Sequence, residues 1–346
     1  MKLLVTGGAG FIGSCFVRQA VTEHGDSVVV LDALTYAGNL ENLEGLEKSD
    51  AYQFVRGSIA DAAVVGALGT DFDAIVNFAA ESHVDRSIED PAVFIETNVN
   101  GPRVLMAAAV RAGARFVQVS TDEVYGSIEG ERKFSEESPL RPSSPYAASK
   151  AAADLLVGAY VVTYKLDAVT TRSGNNYGPR QFPEKLIPLF ATNALEDREL
   201  PLYGDGLNVR DWIHVEDHCR AIRAVLERGR GGRIYNVSAG CERSNREICE
   251  RILAELGKPW SLVRHVEDRP GHDRRYALAA DSLRTELGWS PTIGFDEGLR
   301  ATIAWYRANR HWWQRVRSGE YLEFYDRLYA GRLAKGRAAE PPRSGS

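Results

Sequence analysis

Residues 5–14 read VTGGAGFIGS, and this stretch decides the fold. The apolar run Leu3–Thr6 leads into it, and a helical pattern from Phe11 to His24 leads out. Between them Gly7, Gly10 and Gly13 are spaced GxxGxxG. Glycines so placed let a strand turn sharply into a helix, whose N-terminus then presents unpaired N–H groups and the positive end of its dipole. A pyrophosphate is the group such a turn accommodates. The next apolar run, Val28–Leu31, ends on Asp32. A carboxylate there can accept from both hydroxyls of an adenosine ribose and would repel a 2′-phosphate, so the pattern favours NAD over NADP.

Outward from this turn, short apolar blocks alternate with longer helical patterns. Val28–Leu31, Ala74–Phe78, Phe116–Ser120 and Ala168–Thr171 read as strands, and residues 62–68, 92–112 and 145–164 as helices. Apolar residues in blocks, rather than in strict alternation, suit a parallel sheet covered on both faces. The expected class is α/β, a doubly wound parallel (Rossmann) sheet. After Asn175 the order loosens. Pro179 and Pro183 interrupt it, and helices fit 186–194, 216–228, 244–256, 282–287 and 297–309. This half is expected to build a smaller mixed α/β substrate-binding lobe. Residues 1–175 are assigned to the cofactor domain, with about 207–240 returning to it, and 176–332 mainly to the lobe. Residues 333–346 have no apolar period and are expected to be disordered.

Composition narrows the class. The chain has 346 residues, 44% hydrophobic and 26% charged, as in an ordinary globular protein. Its net charge of −5 gives no electrostatic footprint for nucleic acid or an anionic membrane. Cys15, Cys219, Cys241 and Cys249 form no CxxC pair, which predicts free thiols in a reducing compartment. No apolar run approaches a membrane span and no cleavage pattern follows Met1, so a cytoplasmic location is expected. His214 and His218 are four apart, a metal-compatible spacing, but no third ligand accompanies them. They read as structural, and no metal is expected.

Two further patterns carry chemistry. Tyr146 and Lys150 form YxxxK on one face of a helix. Tyrosine titrates near 10, so a tyrosine base at neutral pH needs about 4 kcal/mol of help, which a nearby ammonium and a cationic nicotinamide would supply. Ser120-Thr121-Asp122-Glu123-Val124-Tyr125-Gly126 leaves the carboxyl end of a sheet strand, where ligands of open α/β sheets bind. Two adjacent carboxyl groups exceed what hydride transfer requires. They suit an elimination, one taking a carbon-bound proton and the other protonating a leaving hydroxyl.

With these residues in hand the chain resembles the extended short-chain dehydrogenase/reductase family and, within it, the dTDP-glucose 4,6-dehydratase family. The segments that carry the resemblance are VTGGAGFIGS, LDALTYAGN, NFAAESHVDRSI, STDEVYG, SPYAASK, NNYGPRQFPEKLIPL, LYGDGLNVRDWIHVEDH and EDRPGHDRRYA. The resemblance runs from about Met1 to Arg332. The Asp-Glu pair separates this family from sugar-nucleotide epimerases and decarboxylases of the same fold. It implies a lyase using NAD, in which Tyr146 takes the C4 hydroxyl proton of the sugar with Thr121 and Lys150 assisting. Glu123 would remove the C5 proton and Asp122 protonate the departing C6 hydroxyl.

The same resemblance implies the binding residues. For NAD these are Gly7, Gly10, Phe11, Ile12, Gly13, Asp32, Ala33, Leu34, Thr35, Ser58, Ile59, Phe78, Ala79, Ala80, Thr97, Tyr146, Lys150 and Asn176. For the nucleotide sugar they are Ser82, Thr121, Asn175, Lys185, Leu186, Leu189, Arg210, Asn245, Asp268, Arg269, His272 and Tyr276, with Pro201 and Tyr203 flanking the base. His83 is expected to orient its loop rather than move a proton. One departure stands out: the family's Gly-Asp-Ile is Gly57-Ser58-Ile59 here. A serine hydroxyl reaches less far than a carboxylate and carries no charge, so adenine anchoring is expected to be weaker. A homodimer is implied, with residues 92–112 and 146–164 of each copy forming a four-helix interface. The choice between dTDP and UDP stays open. So do the alternative readings, another NAD-dependent nucleotide-sugar 4,6-dehydratase or epimerase on the same fold, and a non-catalytic NAD-binding regulator.

Overall fold

The computed structural model describes residues 1–318 and 320–339. Strands β1 (Lys2–Thr6), β2 (Ser27–Asp32) and β3 (Tyr52–Arg56) step outward along one half of a parallel sheet. The chain then crosses to the other side of β1. There it lays down β4 (Ala74–Asn77), β5 (Arg115–Thr121) and β6 (Ala168–Ser173). After β7 (Asn175–Tyr177), β8 (Leu200–Tyr203) and β9 (Val209–His214), which belong elsewhere, β10 (Ile234–Val237) returns beside β6. The order β10-β6-β5-β4-β1-β2-β3 reverses direction between β1 and β4. That reversal opens a crevice beyond the carboxyl ends of these two strands.

Successive residues of β1 serve opposite faces, as a pleat requires. Leu3 and Val5 pack with Val28, Val30, Phe16, Ile222 and Val225, beneath the helices Phe11–Thr22 and Val215–Arg228. Leu4 packs with Leu31, Ile75, Phe116, Leu105, Met106 and Val157, beneath Gly101–Ala112 and Pro145–Tyr164. Each such fully buried side chain contributes about 1.5–3 kcal/mol, which is why strands covered on both sides are mostly apolar. Inside this apolar sheet runs one polar row. Thr6 Oγ1 donates to Asn77 Oδ1 at 2.6 Å, and Asn77 Nδ2 donates to Gln118 Oε1 at 2.9 Å. These three residues are register partners across β1, β4 and β5, so any one-residue slip would strand buried polar groups.

The smaller lobe has two three-stranded sheets. One orders β11 (Glu242–Ser244), β9 and β7, and the other orders β13 (Arg337–Ala338), β12 (Val263–Val266) and β8. Phe190, Trp212, Ile252 and Ile303 form its core with the helices Leu186–Leu195, Asn245–Leu256 and Phe295–Ala308.

The structure departs from the sequence reading in three places. β3 was not among the expected apolar blocks: it is an edge strand, only part-buried, and its sequence YQFVR is mixed. The single helix expected over 92–112 is divided into Pro91–Ile95, a π-helical turn Glu96–Asn100 and Gly101–Ala112. Pro102 lacks the N–H that would continue an unbroken helix. The tail expected to be disordered from 333 is instead ordered through 339. Gly331–Lys335 is helical, and Arg337–Ala338 pairs with β12. The rest of that expectation, 340–346, lies outside the described residues.

Candidate active site

The glycine turn lies at the mouth of the crevice. Gly7 has φ +68°, and a Cβ on it would lie 2.5 Å from the Ala79 nitrogen. A Cβ on Gly13 would lie 2.2 Å from the Gly7 carbonyl oxygen. Both positions therefore admit only glycine, and the backbone of the turn is left bare toward the cavity. Asp32, at the end of β2, accepts from Ala9 N at 2.9 Å and Leu34 N at 2.8 Å. Burial raises its pKa while these two backbone N–H groups lower it. The bonds fix the carboxylate at the edge of the cavity with lone pairs to spare.

A cavity of about 520 Å³ follows the carboxyl ends of the strands. Of the expected cofactor residues, Gly7, Gly10, Phe11, Ile12, Gly13, Asp32, Ala33, Thr35, Ser58, Ile59, Phe78, Ala79, Ala80, Thr97 and Asn176 line it. So do Ser82, Thr121, Asp122, Glu123, Tyr146, Lys150, Asn175, Lys185 and Leu186. A second chamber of about 150 Å³ shares Glu123, Asn175, Lys185 and Leu186, and adds Leu189, Pro201, Tyr203, Arg210, Asn245, Arg269 and His272. Three expected residues line neither. Leu34 contributes its backbone N–H to Asp32. Asp268 stands behind His272, 2.6 Å from its Nδ1. Tyr276 lies under the Arg210 guanidinium at 4.2 Å and donates to Asp273 Oδ2.

At the junction of the chambers, β5 runs into a 3₁₀ turn, Asp122–Tyr125. Thr121 caps that turn, its Oγ1 accepting from Glu123 N at 3.2 Å. The two carboxyls meet different surroundings. Asp122 is 1% exposed and its Oδ2 has no partner. Burial pushes its pKa well above the usual aspartate range, and the Glu123 charge adds to this. Burial also raises Glu123, but Arg269, Arg210 and Lys185 all pull it back. Asp122 is thus the better proton donor and Glu123 the better acceptor.

Tyr146 and Lys150 face them from the helix Pro145–Tyr164, which Ser144 caps by accepting from Ala147 N. Burial and the charges of Glu123 and Asp122 raise the Tyr146 phenol, while a hydrogen bond from Thr121 lowers it. The protein alone therefore keeps Tyr146 protonated. Lys150 Nζ donates to the Val119 carbonyl at 2.8 Å, and burial brings its pKa down to about 8.

Other polar residues find structural work. His214 ends β9 and caps Val215–Arg228. His218, brought down to about 3 by burial, sets its Nδ1 2.8 Å from Asn176 Oδ1. The Asn176 amide nitrogen donates to Ser173 Oγ and Gly174 O, so this side chain is fully engaged within the protein. Buried His83 is held well below its ordinary pKa, first by burial and then by Lys185, Arg269 and Arg86. Arg210 pairs with neither aspartate near it in sequence: it donates to the Asp273 and Val209 carbonyls, while Arg274 takes Asp205. The sequence reading missed Glu184, Trp212, Ser120 and Tyr329, which also line the chambers. Glu184 and Trp212 lay inside quoted segments, whereas nothing in the sequence marked Tyr329.

A fold and site of this kind define a nucleotide-sugar-modifying member of the extended short-chain dehydrogenases/reductases. A family model described as GDP-mannose 4,6 dehydratase matches residues 4–302. A curated dTDP-glucose 4,6-dehydratase of Streptomyces niveus is 53% identical over 324 residues, 92% of this chain and 96% of that protein. The crystal structure of DesIV, a dTDP-glucose 4,6-dehydratase from Streptomyces venezuelae solved with NAD bound, is 54% identical. It superposes with a TM-score of 0.90 over 91% of this chain and all of that one. A Thermus thermophilus UDP-glucose 4-epimerase in complex with NAD is 34% identical, covers 89% of this chain and all of that one, and has a TM-score of 0.83. The chain belongs to the dTDP-glucose 4,6-dehydratase family.

Proposed function

We propose that the protein converts dTDP-glucose to dTDP-4-keto-6-deoxyglucose, as an NAD-dependent lyase. The observation that carries this is the adjacent Asp122–Glu123 pair, set in opposed surroundings and facing Tyr146 across one cavity. An epimerase needs no such pair, and a binding-only protein needs neither carboxyl nor the buried Tyr146–Lys150 face.

The residues present fit NAD. The bare glycine turn leaves room for a pyrophosphate at a helix N-terminus, and Asp32 supplies acceptors for ribose hydroxyls. The chemistry NAD supplies when bound is reversible acceptance of a hydride. Tyr146 takes the proton of the C4 hydroxyl, with Thr121 holding the reacting oxygen. The phenol needs a positive charge beside it to do so, because burial and two carboxyls oppose its ionisation. Lys150 holds the nicotinamide ribose and lends part of that charge. Glu123, ringed by three cations, removes the C5 proton made acidic by the 4-ketone. Asp122, whose burial favours the protonated form, protonates the C6 hydroxyl, which leaves as water; the hydride taken from C4 then returns to C6 and a proton to C5. Arg210 and Arg269 hold the diphosphate, and Pro201 and Tyr203 flank the base.

The working unit is a homodimer. The helix Pro145–Tyr164 leaves Leu155 67% and Val162 70% exposed, one heptad apart, and Val93 and Ile95 are exposed on Pro91–Ile95, a helix that packs against it. An apolar stripe of this kind supports packing against a second copy. Among the described residues no helix is long and apolar enough to cross a membrane. With the free thiols, this supports a cytoplasmic location. The deciding experiment incubates purified protein with dTDP-glucose, with and without added NAD, and follows product mass. Loss of one water with no net redox change is expected. A product isomeric with the substrate would favour epimerisation, and no product with NAD present would favour the binding-only reading.

A further inference from the structure

The buried Arg172 on β6 is assigned no role above. Its guanidinium is 3% exposed and reaches two elements at once. Nε donates to Asp154 Oδ2 at 2.8 Å, on the helix that carries Tyr146 and Lys150. Nη1 donates to the Tyr125 hydroxyl at 2.9 Å, on the 3₁₀ turn that carries Asp122 and Glu123. The Tyr125 hydroxyl in turn donates to Asn236 Oδ1 at 2.9 Å, so both its donor and an acceptor site are used. Asp154 falls one helical turn after Lys150. A hydrogen bond from Ser120 also lowers the Asp154 carboxyl, and Ser120, 5% exposed, lines the cavity and lies opposite Arg172 in the β5–β6 register.

A planar, permanently charged fork is the group that can bind two elements at fixed angles. Breaking such a buried pair from one side leaves an uncompensated charge. We propose that Arg172 and Asp154 form a buried positioning pair that ties the acid–base turn to the Tyr146–Lys150 helix and gives Lys150 its counter-charge. The role rests on the dehydratase reading for its meaning in catalysis, but not for its physical content.

The charges around Lys150 make the second half measurable. Burial lowers Lys150 and Asp154 raises it. Burial raises Asp154, while Arg172 and Lys150 pull it down. Removing the aspartate charge should lower Lys150 further, and removing the arginine, which holds the Asp154 carboxyl down against its burial, should lower it too. Arg172→Lys keeps the charge beside Asp154 and should keep Lys150 where it is, whereas a general loosening of the core would move it in either arginine variant.

The test uses the full-length protein without substrate. Acetylation of Lys150 by acetic anhydride is followed against pH by peptide mass spectrometry. The wild-type midpoint is expected at about 8. Asp154→Asn should lower it by about one pH unit or more, a tenfold shift in the protonation equilibrium. Arg172→Gln should lower it as well, and Arg172→Lys should leave it in place. An unmoved midpoint in Asp154→Asn, or an Arg172→Gln midpoint equal to that of Arg172→Lys, would overturn the proposal. If Asp154→Asn does not fold, the two arginine variants decide: an equal midpoint in both overturns it. A turnover arm tests the tie between elements. Arg172→Lys should slow C5 proton exchange at least tenfold more than the first hydride transfer, and equal slowing would refute that part. Absence of turnover in the wild type would count against the dehydratase reading and leave the labelling result standing.

Discussion

The ring of Phe94 meets the ring of Tyr146 edge-on, with centroids 6.3 Å apart and planes inclined at 79°. Phe94 is 2% exposed, and its helix, Pro91–Ile95, is barely more than one turn long. The aromatic edge sets where the phenol oxygen can point. Phe94→Ala should therefore lower kcat for the first oxidation at least tenfold while changing KM little. It should also cost about 3 kcal/mol of stability from the cavity left behind. Transient NADH absorbance and urea unfolding measure the two separately.

The acid and base assignments predict three distinct blocks. Tyr146→Phe should form no NADH from dTDP-glucose. Glu123→Gln should form NADH but slow C5 exchange and elimination by two orders of magnitude or more. Asp122→Asn should permit both oxidation and C5 exchange, and stall at loss of the C6 hydroxyl. Rapid-quench mass spectrometry in deuterated water separates these outcomes. Fast elimination in Glu123→Gln would sink that residue's role.

The pH profile follows from the same pair. Glu123 acts as a base, and its raised pKa means that activity falls, with decreasing pH, earlier than an ordinary glutamate would dictate. Asp122 acts as an acid. Its strongly raised pKa holds the proton to higher pH than an ordinary aspartate would, and activity declines as pH climbs through that value. Loss of the Lys150 charge near about 8 reinforces the alkaline decline. A bell-shaped kcat profile is expected, with Asp122→Asn flattening the acid-catalysed step at every pH.

Ser58 predicts looser cofactor retention. Its Oγ already accepts from Ala60 N at 3.2 Å, which leaves one lone pair, on a short uncharged arm, for an adenine amino group. Ser58→Asp should raise the fraction of NAD that survives gel filtration several-fold. Cofactor released on denaturation, counted by absorbance, gives the comparison, and equal fractions would show that Ser58 does not set retention.

The exposed stripe on Pro145–Tyr164 predicts dissociation rather than unfolding when charged. Leu155→Glu with Val162→Glu should halve the mass seen by light scattering and leave the far-UV circular dichroism unchanged. A wild-type mass of one chain would remove the dimer reading.

The sheet's centre was legible because β1, β2, β4 and β5 are buried on both faces and are mostly apolar. β3 was not, because an edge strand half in water can carry YQFVR. The glycine turn and the Tyr146–Lys150 face were legible because each depends on residues close in sequence. The engaged state of the Asn176 side chain was not, since it depends on His218, 42 residues away. Tyr329 was out of reach for the same reason: it enters the second chamber from a chain segment that contacts Tyr203 across 126 residues. Nor could the sequence give the sign of the Tyr146 shift, which is set by burial and by which charges come near.

Consecutive side chains on a 3₁₀ turn diverge by about 120°. Asp122 and Glu123 occupy such a turn, so one peptide bond separates a carboxyl in the dry interior from one among cations. Their order along the chain is therefore not interchangeable. A protein reading Glu-Asp here would keep its composition, net charge and fold, yet would send the longer arm into the tight interior and the shorter toward the cationic rim. Two neighbouring letters thus store a direction, and an engineer moving this chemistry to a sister scaffold would have to transplant the turn along with the pair.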